Sequence, residues 1–98
     1  MKRELNESSR RELLKLLAEA SKNSKLLDAI LVDLLTPAEY REVATRWQIV
    51  KRLAAGESHR QIAGDLKIGI ATVNRGARML LNTQGGFNQL LDKKAPRS

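Results

Sequence analysis

The chain has 98 residues, 42% hydrophobic but only 3% aromatic, with 18 Lys or Arg against 11 Asp or Glu and a formal net charge of +7. That length suits one modest domain with an aliphatic core; such a domain buries only about two-thirds of its unfolded surface, so oligomerisation is a ready source of further core. The charge favours a polyanionic partner, nucleic acid before an anionic membrane surface, and a chain without cysteine has neither disulfides nor thiolate metal sites, in keeping with a reducing, cytoplasmic setting.

No apolar run approaches the roughly 18 residues of a membrane span. Residues 1–11 are polar and charged and do not read as a signal peptide. Leu13, Leu14, Leu17 and Ala20 form one apolar stripe and predict a helix over about 6–21, with Ser8 or Ser9 as its cap. After a break at 21–24, Leu27, Ile30, Leu31 and Leu34 predict a second helix. Leu26 and Leu35 widen its apolar face, and a helix apolar on most sides demands burial on most sides. Thr36-Pro37-Ala38-Glu39 is a strong helix start, with a hydroxyl cap, Pro at the first helical position and a capping-box Glu. This third helix is expected over 37–55, with Tyr40, Val43, Trp47, Val50 and Ala54 on its apolar side and Gly56 as a left-handed stop. Ser58 caps a short fourth helix over about 59–66, a fifth runs over about 70–82, and Gly85-Gly86 breaks the chain before a last helix over about 87–91. The charged residues 92–98 are expected to fray. No strand of convincing length is present.

Residues 60–78 carry the most informative pattern, that of a helix-turn-helix. Two short helices meeting near a right angle require apolar or small residues at particular positions. Ile62 and Leu66 make the inner face of the first helix, Ala63 is small where the second crosses it, Ile68 plugs the turn, and Val73 and Ala77 anchor the second helix. Ile70, Ala71, Thr72, Asn74, Arg75 and Arg78 are then directed outward. Methyls for thymine and amide or guanidinium groups for purine edges are what a major-groove reading helix needs. Lys67 stands where such turns usually place Gly; a left-handed backbone there costs a non-glycine residue on the order of 1 kcal/mol.

The blocks Leu35-Thr36-Pro37-Ala38-Glu39, Thr45-Arg46, Ile49-Val50 and Gly69-Ile70-Ala71-Thr72-Val73-Asn74-Arg75-Gly76 resemble the tryptophan operon repressor family over about residues 26–80. The resemblance implies an all-α fold of about six helices, a single domain over 1–98 assembled as an intertwined homodimer, with 6–35 dimerising, 37–55 as the long central helix and 59–82 as the helix-turn-helix. It implies a bacterial repressor of a double-stranded DNA operator, with L-tryptophan as corepressor. Carried onto this chain, Arg46 and Arg75 flank the indole, as guanidinium groups stack on aromatic faces and pair with carboxylates. Thr36 bonds the ligand carboxylate, the Leu35 carbonyl takes its ammonium group, Gly76 leaves space beside the ring, and Met79 stands where family members often have a serine near the ammonium. Phosphate contacts fall to Arg46, Arg60, Arg75 and Arg78, and base contacts to Ile70, Ala71, Thr72 and Asn74, with Gly69 opening the reading helix. Ala63 replaces a basic residue often present in the first motif helix, and the connection 56–60 is one residue shorter than in the best-known members.

Two alternatives stay open: a related DNA-binding protein that does not bind tryptophan, and a helix-turn-helix interaction module of sigma-factor or response-regulator type. Enzyme chemistry finds no foothold, with one histidine, no cysteine and no phosphate loop. His59 lacks the companions a metal site needs and reads as a surface or phosphate-facing residue. Trp47 reads as core rather than site.

Overall fold

The computed structural model describes residues 6–94. These contain six helices and no strand: α1 (Glu7–Ala20), α2 (Ser24–Leu34), α3 (Pro37–Ala54), α4 (His59–Leu66), α5 (Ile70–Leu81) and α6 (Gly86–Lys94). The all-α class is as the sequence predicts. The chain divides into two compact units, Met1–Arg41 and Glu42–Ser98.

In the first unit each helix starts on a side-chain cap. Asn6, rather than Ser8 or Ser9, caps α1: its Oδ1 accepts from the Ser8 and Ser9 amides at 2.9 and 3.1 Å. Those serines sit within the first turn, so their own amides are among the unpaired donors that the cap satisfies. Asn23 repeats the arrangement for α2, accepting from the Lys25 and Leu26 amides at 2.9 and 3.3 Å. At the start of α3 the capping box closes in both directions, Glu39 N–H to Thr36 Oγ1 at 3.1 Å and Thr36 N–H to Glu39 Oε1 at 2.9 Å. Tyr40, one residue on, donates its hydroxyl to Asp28 Oδ1 of α2 at 2.7 Å. This hydrogen bond, with lesser help from burial and from the carboxylate's charge, raises the Tyr40 pKa above its usual 10.0. The apolar side chains of α1 and α2 remain largely uncovered within the chain. Ala20 is buried, but α2 buries no residue, and Leu13, Leu14, Leu26, Val32 and Leu34 are exposed.

In the second unit Ile49 of α3, Ile62 of α4 and Val73 of α5 form the core, each at most 1% exposed, with Leu53, Ala63, Leu66 and Ile68 packed around them. Gly76 is also buried. A Cβ placed on it would lie 2.6 Å from Ile49 Cγ2, so α5 approaches α3 at a distance only glycine permits. The expected apolar side of α3 is displaced accordingly. Val50 is buried and Trp47 is half-buried, stacked on Phe87 with centroids 5.7 Å apart, but Val43 and Ala54 are exposed. The most important core residue of the helix, Ile49, lies outside the expected set because α5 packs on a different sector.

The helix α3 stops in a Schellman arrangement: Gly56 takes φ 94°, its amide donates to the Leu53 carbonyl at 2.9 Å, and the Glu57 amide reaches the Arg52 carbonyl at 3.1 Å. The last helix is longer than the expected 87–91. The Gly85 carbonyl accepts from the Gln89 amide at 3.0 Å, and the helix continues to Lys94. Asp92, expected in the frayed tail, therefore belongs to α6, and residues 95–98 of that tail lie outside the described residues. Asn88 of α6 donates to the Leu80 and Asn82 carbonyls at 3.0 and 2.8 Å, satisfying the open end of α5.

Two measurements check this packing. Gly76→Ala should lower stability by about 1–3 kcal/mol, the usual cost of overpacking a filled core, in chemical denaturation. Adding Ile49→Ala should make the double variant less unstable than the sum of the single ones. The Tyr40 bond supports the fold while the phenol is protonated. Because folding raises this pKa, its stabilisation is complete below about pH 10 and fades as pH climbs through the raised value. Thermal melts of wild type and Tyr40→Phe should differ at pH 8 and converge in strong alkali.

Candidate nucleic-acid interface

The helices α4 and α5 form a corner on the Ile62–Val73 contact. Ser58 caps α4, its Oγ accepting from the Gln61 amide at 3.1 Å. Between Gly56, which closes α3, and Ser58, which opens α4, lies only Glu57. The short connection is thus wholly occupied by capping residues. Glu57 also braces the joint. Its Oε1 accepts from Arg52 Nε at 2.6 Å, while Arg52 also reaches Asp65 of α4. The Arg52 side chain is 19% exposed. Its hydrogen bond to Asp65 first, then that to Glu57, raises its pKa further above its ordinary value. One guanidinium therefore ties the end of α3 to both the connection and α4.

Three residues, Lys67, Ile68 and Gly69, join α4 to α5. Lys67 adopts the left-handed conformation, φ 58° and ψ 48°, as expected for a turn position that usually takes glycine. It lets the Ile68 amide reach back to the Ala63 carbonyl at 3.0 Å while the Ile68 side chain packs on the core. Gly69 then begins α5 with no side-chain cap, leaving the first amides of that helix available to an anion.

The inner side of α5 is Val73, Gly76, Ala77 and Leu80, buried or half-buried. The opposite side exposes Ile70, Ala71, Asn74, Arg75 and Arg78, with Gly69 exposed at its start and Arg60 exposed on α4. Thr72 is half-buried at the edge, and a long 3.5 Å bond joins its Oγ1 to the Arg75 guanidinium. Asn74 pairs across the corner with His59, Oδ1 to Nδ1 at 2.7 Å. The sequence places His59 at the surface but gives no sign of this neighbour. The two are fifteen positions apart, so only the angle of the corner brings them together.

The residues assigned to the ligand divide between the units. Leu35 ends α2 in extended conformation, and Thr36 is exposed beside it, in the first unit. The capping bond uses the Thr36 oxygen as acceptor and leaves its hydrogen able to donate. Arg46, Arg75, Gly76 and Met79 belong to the second. Arg46 is exposed on α3, and no ion pair joins it to Glu42 among the described residues. Met79 is 40% exposed. The described residues hold no group of three or more potential metal ligands, and no described helix is long and apolar enough to cross a membrane.

Comparison with known proteins places the chain in a family. The family model described as "Trp repressor protein" matches residues 8–95. Proteins named "Trp operon repressor homolog" in two strains of Vibrio vulnificus, YJ016 and CMCP6, are each 38% identical over 81 residues, covering 78% of this chain and 79% of theirs. A protein of the same name in Vibrio parahaemolyticus is 38% identical over 65 residues, 65% of this chain and 63% of its own. With its helices, its corner and most of its length accounted for in this way, the chain belongs to the Trp repressor family of DNA-binding, repressor-type regulators.

Proposed function

We propose that this protein is a homodimeric repressor that binds a palindromic DNA operator and uses L-tryptophan as corepressor. The observation that carries the DNA half is the two-sidedness of α5, which buries Val73 and Gly76 while exposing Ile70, Ala71, Asn74, Arg75 and Arg78. Gly69, Ile70, Ala71, Thr72 and Asn74 face the bases, directly or through water, and Arg46, Arg60, Arg75 and Arg78 neutralise phosphates. Members of this family are themselves among the standard examples of such docking, in which paired heads sit about 34 Å apart. The exposed apolar side chains of α1 and α2 support the dimer. A chain with Leu13, Leu14, Leu26, Val32 and Leu34 uncovered gains core by association with a second copy.

The tryptophan half rests on the family and on the two arginines. Within the second unit, Arg46 and Arg75 flank the indole, with Gly76 and Met79 beside it. Ligand binding then biases the heads toward the separation that DNA requires. A second reading, a DNA-binding family member that does not respond to tryptophan, is favoured by Met79, whose thioether is a poor partner for an ammonium group compared with a hydroxyl.

Titration calorimetry with L-tryptophan, run beside binding to a site selected from random duplex DNA, separates the two. Saturable heat and a tryptophan-dependent gain in DNA affinity are expected. DNA binding without heat at millimolar ligand selects the second reading. Arg75→Ala should weaken both ligand and DNA about tenfold or more, the scale of a lost charge-assisted hydrogen bond; unchanged affinity for both rejects the shared role. Sedimentation should return a dimer of the 11.0 kDa chain that persists on dilution, whereas a stable monomer would point to an interaction module instead.

A further inference from the structure

We propose that His59 is a positioning residue for base reading: it holds the Asn74 amide with its oxygen turned toward α4 and its NH2 group turned outward, so that Asn74 addresses DNA as a donor. The inference rests on the reading of α5 as the DNA-contacting helix. It starts from the 2.7 Å contact between His59 Nδ1 and Asn74 Oδ1. An asparagine amide carries an acceptor at one corner and two donor hydrogens at the other, and rotation by half a turn exchanges them. An unpartnered Asn on a reading helix therefore accommodates either a donor or an acceptor on the base edge. A ring N–H held against Oδ1 removes that freedom.

Both side chains are exposed, so in free protein the bond competes with water and contributes little to stability. Docking on DNA expels that water, and the bond then sets which atoms of the amide remain for the base. His59 opens α4 and Asn74 lies one turn into α5, so the angle of the corner sets this distance. The outward NH2 group suits guanine O6 or N7 and thymine O4. It opposes the N4 amino group of cytosine, where two donors meet with no acceptor between them. Discrimination against cytosine on the contacted strand thus falls to a residue that itself touches no base.

The test measures affinity for all four bases at each position of a half-site selected by the wild-type protein, with tryptophan present throughout. Asn74→Ala should flatten the preference at one position. His59→Ala should leave the preferred base in place but admit cytosine there, narrowing the discrimination about tenfold, within the range of one good base contact. His59→Asn, whose side-chain NH2 stands where Nδ1 does, should restore the wild-type ranking. Non-specific binding and its salt dependence should be unchanged in the two His59 variants, since His59 acting through Asn74 touches no phosphate. Long-range proton–nitrogen correlation spectra of the free protein should find His59 Nδ1 protonated.

An unprotonated Nδ1, a His59→Ala variant that still rejects cytosine, or an Asn74→Ala variant that changes no position overturns the proposal. Failure of the wild-type protein to select any sequence removes the DNA-reading function and this inference with it. Selection that depends on Asn74 but not on His59 removes the inference alone.

Discussion

The contact among Ile49, Ile62 and Val73 joins three helices through β-branched side chains that have few rotamers and little freedom to repack. Each such burial is worth about 1.5–3 kcal/mol, but its geometric effect matters more. It holds α4 and α5 at a fixed crossing against α3, and it does so only because Gly76 lets Ile49 come close. The backbone of α5 takes its place beside α3 and α4 from this contact. The joint that leads into it leaves no slack, since Gly56, Glu57 and Ser58 respectively close one helix, bind Arg52 and open the next. A helix-turn-helix built in this way has its internal angle set by side-chain packing rather than by the connecting residues alone.

Charge is divided on the same plan. The acids of the second unit near the corner are turned to internal bracing: Glu57 and Asp65 both hold Arg52. The cations Arg60, Arg75 and Arg78 are exposed on the helices that form the corner. At the corner, therefore, the two acids are engaged by Arg52 while three cations stay exposed, the sense expected from a chain with a net charge of +7.

Local signals were legible in the sequence where one residue type has one strong use. Thr36-Pro37-Ala38-Glu39 and Ser58 cap helices as expected, Gly56 ends α3, and the helix-turn-helix was recognisable from Ile62, Ala63, Leu66, Ile68 and Val73. What escaped depends on partners distant in the chain. Ile49 and Val50 are equally apolar neighbours, and periodicity along α3 does not say which sector α5 will cover. Family likeness gives Gly76 a place beside a ligand, but that Ile49 packs against it, a second reason for glycine there, is not written in the sequence. The pairing of His59 with Asn74 has no signature in either residue. For α1, serines and an asparagine within four positions all qualify as caps, and the choice of Asn6 follows from where the first turn closes. The roles assigned to Arg46, Arg75 and Met79 come from family likeness, because an exposed side chain has no packing to declare its purpose.

Lys67 is the one place where the backbone of a non-glycine residue stays left-handed among the described residues. Its penalty of about 1 kcal/mol is small beside what the three-way contact supplies, so the corner tolerates it. The left-handed turn is thus held by the packing on either side of it, not by any preference of the lysine itself, and a glycine there would keep the corner's shape without the strain.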